Sequence, residues 1–306
     1  MHWSNYLLQS AKAKSGRRLH LTVSRPGTTF SARPRPHMRS ITVDPTAYQI
    51  IDCHIHPAVD ELTETNWFTS TGSVQDQIDV LRRAGIVQAC GSPITRLDPD
   101  SFDDVKQLND RALRLRDHVP DFYIPGIQVH PRFPEESCAE IDRCCGTEGV
   151  RWIGELVGYM TGYGVEYATP EALTIMRHAG THGAVVNIHC HDLDVVDALC
   201  TAVPDLPIVL AHPSCDRTEF LARIEKVASH PNLHLDISGS GIDRFGLIRK
   251  AIDTAGADRL LFGTDYPINN PAVYTYGALL EPLSEPERHA LFRGNFLRLI
   301  GSNQST

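Results

Sequence analysis

The sequence predicts a single (β/α)8 barrel, and three observations carry that reading. From residue 46 onward, short apolar runs alternate with stretches of helical period. There are eight such runs, enough for eight βα units. Ligand-type residues close the first, fourth, fifth, sixth and eighth runs, and only a closed barrel brings those ends round one centre. The rival is an open doubly wound sheet, but no G-x-G-x-x-G turn follows the first run. No internal repeat or second domain is visible. The domain reading is a basic N-terminal extension over 1–45 and the barrel over 46–304.

The elements follow in order. Tyr48-Gln49-Ile50-Ile51-Asp52-Cys53-His54-Ile55-His56-Pro57 predicts a strand over 49–54. Side chains two apart on a strand share a side, so His54 and His56 can face one ion. Pro57 stops the strand, which leaves the pair at its mouth. Further strands are expected over 86–91, 122–129, 150–155, 184–189, 207–211, 232–237 and 259–263. Each is a short run rich in Val, Ile and Leu, as in parallel strands buried on both faces. Their carboxyl ends carry His130, Glu155, His189 with His191, His212 and Asp265.

Helices are expected near 73–84, 103–117, 135–145, 170–181, 192–202, 217–229, 241–255 and 284–300. In the first, apolar residues at 74, 78, 81 and 84 form one face to set on a sheet. Thr169 and Pro170 read as N-cap and first residue of another. The long connection from Pro57 to Ser73 carries Trp67 and Phe68; it suits either a lid or a packed surface loop.

Composition narrows the class. With 42% apolar and 22% charged residues the chain is ordinary for a globular enzyme. No run of roughly 18 apolar residues exists, so no membrane span is expected. Residues 1–40 hold eight Lys/Arg and no acid, which leaves the remainder with 21 basic against 37 acidic side chains. An acidic body argues against nucleic acid as partner. The basic, Ser- and Pro-rich start fits a disordered tail or an over-extended start with Met38 as initiator; a transit peptide is the alternative. The eight Cys show no C-x-x-C spacing. They read as reduced core thiols of a cytoplasmic protein, not as a zinc–cysteine site.

The motif set resembles the amidohydrolase superfamily, within it the "amidohydrolase 2" branch of metal-dependent TIM-barrel hydrolases and decarboxylases. The pieces that carry the resemblance are Asp52-x-His54-x-His56-Pro57, Gly154-Glu155, Ile188-His189, Ala211-His212-Pro213 and Gly263-Thr264-Asp265-Tyr266-Pro267. It implies that His54, His56, His189 and Asp265 hold a divalent metal, with zinc the expected ion and manganese the alternative. His212 would be a second-metal ligand or an acid/base that polarises substrate. No Lys is available in the fourth strand, but Glu155 is, which leaves open one metal or two.

Imidazoles and carboxylates suit zinc or a similar ion with a position kept for water. Asp265 would take the water proton and pass it on, and His212 would support a developing oxyanion. Glu155 is either a ligand or a partner that orients a ligating His. Trp67, His130, His191 and Arg244 are the expected substrate contacts, with Arg96 and Arg244 as alternative clamps for a carboxylate. His178, His182 and the remaining histidines are expected to have no catalytic part.

The function expected is metal-dependent hydrolysis of a small molecule, an amide, lactone or related ester. The alternative is non-oxidative decarboxylation of an aromatic or unsaturated acid. A metal-stabilised scaffold and a barrel-type nuclease are weaker readings. The expected partner is a small-molecule substrate, and a homodimer is compatible with the sequence.

Overall fold

Eight short parallel strands hydrogen-bond in sequence order in a computed structural model that describes residues 44–301. They are β1 (Ile50–Ile55), β2 (Ile86–Gly91), β3 (Tyr123–Ile127), β4 (Trp152–Leu156), β5 (Val185–Ile188), β6 (Ile208–Leu210), β7 (Leu233–Asp236) and β8 (Leu260–Leu261). The last strand returns to the first. Cys53 N–H donates to the Phe262 carbonyl at 2.9 Å, Asp265 N–H to that of His54 at 2.8 Å, and His56 N–H to that of Tyr266 at 2.7 Å. The fold is the expected (β/α)8 barrel. The expected N-terminal extension lies, up to residue 43, outside the described residues.

Helices α1 (Val74–Arg83), α2 (Asp103–His118), α3 (Pro134–Ile141), α5 (Pro170–Thr181), α6 (Leu193–Ala202), α7 (Arg217–Ser229) and α8 (Leu247–Ala255) connect successive strands. A short helix α4 (Gly158–Thr161) precedes α5. In α1, Ser73 and Asp76 form a reciprocal capping box, and Ile78 and Leu81 are buried. Thr169 caps α5 as expected, accepting from Ala172 N–H at 3.3 Å.

Inside the barrel, Ile51, Cys53, Cys90, Trp152, Val185, Val209 and Leu261 pack into one cluster with Phe296. They fill the lumen, and the rings of Trp152 and Phe296 lie 5.5 Å apart. All eight cysteines are free; Cys138 is part-buried and Cys215 exposed, so only six are core thiols. Among the described residues no helix is long and apolar enough to cross a membrane.

Three expectations are corrected. The helix expected over 241–255 begins only at Leu247. The residues before it form a loop held against β6's outlet, where a Cβ on Gly241 would lie 2.4 Å from the Ser214 carbonyl. A helix the sequence reading left out, α9 (Pro271–Leu280), follows β8. The expected helix over 284–300 is α10 (Glu285–His289), a wide π turn (Ala290–Gly294) and α11 (Asn295–Leu299). The π turn has a structural reason: the Leu291 carbonyl is turned out to accept Phe262 N–H at 3.1 Å beside β8.

Candidate metal centre

The site is built from the carboxyl ends of the strands. His54 and His56 leave β1 with their Nε2 atoms 3.3 Å apart. Each ring is fixed from behind. His54 Nδ1 lies 3.0 Å from Asp236 Oδ2 and 3.0 Å from Ser238 Oγ. His56 Nδ1 lies 3.2 Å from the Ser92 carbonyl. Acceptors behind both rings place a proton on each Nδ1, so both Nε2 atoms are directed to the mouth.

Glu155 at the end of β4 stands between two groups of imidazoles. Its Oε2 is 3.3 Å from His54 Nε2 and 3.1 Å from His56 Nε2. Its Oε1 is 2.9 Å from His189 Nδ1 and 3.2 Å from His212 Nε2. Asp265 Oδ1 completes the first group, 3.7 Å from His54 Nε2 and 3.4 Å from His56 Nε2. Asp265 Oδ2 is turned away and accepts from Asn269 Nδ2 at 3.2 Å.

His212 and Asp265 both sit in the left-handed backbone region, at φ 69° and 63°. Such conformations are costly for non-glycine residues and persist where the surroundings impose them. Gly239 leaves room for the His212 ring: a Cβ there would lie 2.2 Å from His212 Nδ1.

The donor set fits a divalent cation. Ligands bonded at about 2.0–2.1 Å round a tetrahedral ion stand roughly 3.3 Å from one another, and the contacts in the first group run from 3.1 to 3.7 Å. The chemistry of the ion-free cluster points the same way. Burial opposes charge on His56, yet hydrogen bonds to Asp265 and Glu155 outweigh it and raise the ring to about 9. Burial likewise opposes ionisation of Glu155, but the His54 charge and the hydrogen bonds of His189 and His212 hold its carboxyl well below the usual range. Buried carboxylates of this kind need positive charge between them, from protons or from a metal.

The five sequence-predicted ligands besides Glu155 converge with it, namely His54, His56, His189, His212 and Asp265. Beside them opens a cavity of about 450 Å³. Leu62, Glu64, Thr65 and Trp67 of the 57–73 connection form one wall, and Arg96, Tyr159 and Met160 another. Trp67, an expected substrate contact, lines this cavity.

Three expected substrate contacts are corrected. His130 is fully buried. Its Nε2 faces the Thr161 carbonyl at 2.9 Å and its Nδ1 accepts Arg132 N–H at 3.1 Å, so both nitrogens are engaged in holding loops. Arg244 lies with its side chain 67% exposed against Asp243 and does not line the cavity. His191 is 66% exposed and also lies off the cavity wall. Its Nε2 touches His189 Nε2 at 3.2 Å, and its Nδ1 faces Glu219 at 2.9 Å and Arg223 at 3.0 Å.

Sequence reasoning missed Asp236, the last residue of β7. It is buried, holds His54 Nδ1 and Asn187 Nδ2, each at 3.0 Å, through Oδ2, and accepts from Ser238 N–H at 3.0 Å through Oδ1. The Ser238 hydroxyl donates to Asp236 and accepts from His54 and from His212 Nδ1, the latter at 3.0 Å. One carboxylate and one hydroxyl thus orient two of the imidazoles. Tyr159, also missed, stands edge-on to His189 at 5.2 Å. Asp52, flagged in the motif, ties β1 to the loop after β8. Its Oδ2 accepts the Thr264 hydroxyl at 2.6 Å and its Oδ1 accepts Thr264 N–H at 3.0 Å.

Comparison with known proteins agrees with this architecture. No curated protein sequence matches the chain. A 2,6-dihydroxybenzoate decarboxylase from Rhizobium is similar with a TM-score of 0.64 and 16% identity, over 82% of this chain and 98% of that one. A dihydroxybenzoic acid decarboxylase from Polaromonas sp. JS666, with bound manganese and 2-nitroresorcinol, gives 0.62 and 16%, over 84% and 98%. A structure described as an amidohydrolase II gives 0.65 and 13%, over 82% and 99%. At such identities the likeness is one of fold. The family model for amidohydrolases, however, matches residues 51–301, almost the whole barrel. The chain belongs to the amidohydrolase family.

Proposed function

We propose that the protein is a metal-dependent hydrolase of a small amide, lactone or related ester, working at a centre for two divalent ions, with zinc the expected metal. One observation carries the reading: Glu155 divides its oxygens, Oε2 toward His54 and His56 and Oε1 toward His189 and His212. A carboxylate between two imidazole sets is suited to bridge two ions. When bound, the ions supply Lewis acidity and lower the pKa of water toward about 7.

The chain's own residues do the rest. Asp265 lines the cavity with a carboxylate placed to take a proton from water and to deliver it to the leaving group. Asn269 steadies its outer oxygen. His212, held at Nδ1 by Ser238, presents Nε2 to the same space. Trp67 and Tyr159 supply aromatic walls and Arg96 a cation.

A second reading is decarboxylation of an aromatic acid. It is favoured by the fold neighbours named as decarboxylases and by the Arg96, Tyr159 and Trp67 wall, which suits a carboxylated ring. Elemental analysis of wild type against Glu155→Ala separates the two. Two ions per chain falling toward one, with loss of lactone or amide hydrolysis, supports the hydrolase. One ion in both proteins, with CO₂ released from an aromatic acid, overturns it.

A further inference from the structure

A second histidine–carboxylate cluster lies away from the mouth. His178 is in the last turn of α5 and His182 is the residue that caps it. Four residues apart, they project from one helix face, and their rings lie 5.2 Å apart. Asp142, where α3 gives way to a π turn (Asp142–Thr147), reaches both. Its Oδ1 is 2.8 Å from His178 Nε2 and 2.8 Å from His182 Nε2.

Position separates this cluster from the mouth. The carboxyl end of α5 precedes β5 and the segment after α3 precedes β4, so both lie at the amino ends of the strands. The mouth residues lie at the carboxyl ends.

We propose that Asp142, His178 and His182 form a surface site for a divalent transition-metal ion that ties α5 to the end of α3. Two imidazole nitrogens and one carboxylate oxygen, with open positions for water, suit zinc, copper(II) or nickel(II) and not magnesium or calcium. Two His at i and i+4 on one helix face are a known way to chelate zinc. The three donor atoms lie within 4.8 Å of one another. His178 and His182 are part-exposed, at 30% and 23%, and Asp142 is exposed, at 59%, so an ion can enter without unfolding.

The surroundings favour the arrangement. Arg143, the nearest cation in sequence, is engaged with Glu140 and Asp110 and leaves Asp142 to the imidazoles. The π turn lies close over His182: a Cβ on Gly146 would be 3.3 Å from its Cε1. Without an ion the two ring N–H groups donate to one oxygen, and an ion would take the place of both protons.

The test uses the full chain with His54→Ala, His56→Ala, His189→Ala and His212→Ala, which removes both imidazole sets of the mouth, titrated with Zn²⁺ by calorimetry. One equivalent should still bind, and a further His178→Asn should weaken it at least tenfold. Asn keeps a hydrogen-bond donor toward Asp142 but is a poor zinc ligand. Added Zn²⁺ should raise the melting temperature of the first protein and not of the second. Absence of binding in the mouth-disabled protein, or equal affinity after His178→Asn, overturns the proposal. Where the mouth variant does not fold, Zn²⁺ bound at saturation is counted in wild type and in His178→Asn/His182→Asn. One ion fewer in the double variant, with activity kept, supports the site; equal counts overturn it.

Discussion

Asp236→Asn is the sharpest probe of how the centre is held. The wild-type carboxylate only accepts hydrogen bonds. It takes one from His54 Nδ1 and one from Asn187 Nδ2 on Oδ2, each at 3.0 Å, and those of Ser238 on Oδ1. Although burial lifts its pKa, the His54 charge and hydrogen bond, and then the His212 charge, outweigh that and bring the group to about 2.

An amide can satisfy only half of this. With its oxygen at the Oδ2 position it keeps His54 but sets an NH₂ against Ser238 N–H, donor to donor. Flipped, it donates to His54 Nδ1, which drives the ring proton to Nε2 and removes the lone pair that faces the mouth. Partners behind a ligating His are worth about 10–100-fold in metal affinity, or about 1.4–2.7 kcal/mol. The first orientation predicts the lower end and the second the upper. Competition with a zinc chelator would measure the dissociation constant in wild type and variant, with urea unfolding run beside it. Affinity within twofold of wild type in a folded Asp236→Asn protein would refute the reasoning.

Other outcomes follow from the same geometry. His234 is buried with Nδ1 unpartnered. Burial, with Arg259 and Arg298 nearby, pushes its pKa down to about 4. The unfolded chain therefore binds the proton first, and stability present above about pH 6.5 should fall as pH drops toward 4, by up to about 3 kcal/mol. His234→Leu should flatten that slope, and urea midpoints with the same pH dependence in both proteins would exclude His234 as its source. Gly239→Ala, with its new Cβ 2.2 Å from His212 Nδ1, should displace His212 and lower kcat by about a hundredfold. Bound metal at His54 and His56 should remain, and wild-type turnover would show that His212 has room to move. Glu219→Ala leaves the buried Arg223 guanidinium without its carboxylate. The expected loss is about 3 kcal/mol, the lower end of the usual range, because the Ala211, His212 and Cys190 carbonyls still accept from it. An unfolding free energy reduced by less than about 1 kcal/mol, the worth of an ordinary hydrogen bond, would contradict this.

The barrel was legible because parallel strands buried on both faces leave short apolar runs, each followed by polar loop residues. Ile86–Gly91 was bounded to the residue. The helix α9 escaped because its residues, Pro-Ala-Val-Tyr-Thr-Tyr-Gly-Ala-Leu-Leu, carry no charge and show no polar face, so periodicity is silent there. Its end signals were still present, since Asn270 caps it and Pro271 opens it.

For the site, the rule of a ligand-type residue closing an apolar run found His54, His56, Glu155, His189, His212 and Asp265, and it failed on His130 for a physical reason. The run before His130 is as apolar as the others, but whether an imidazole turns into the lumen or into a neighbouring loop depends on the loop. Here the Thr161 carbonyl and the Arg132 amide claim the ring. The same rule should have flagged Asp236, which closes β7. Leu233-His234-Leu235-Asp236 alternates apolar and polar residues, a pattern that taken by itself reads as a strand with one solvated face. In a closed barrel that inference inverts. Both faces are buried, so a polar residue at every second position cannot be facing water. His54 is the group that Asp236 answers. A carboxylate that closes a strand of an all-parallel barrel is therefore itself a candidate for a residue that stands behind a ligating imidazole.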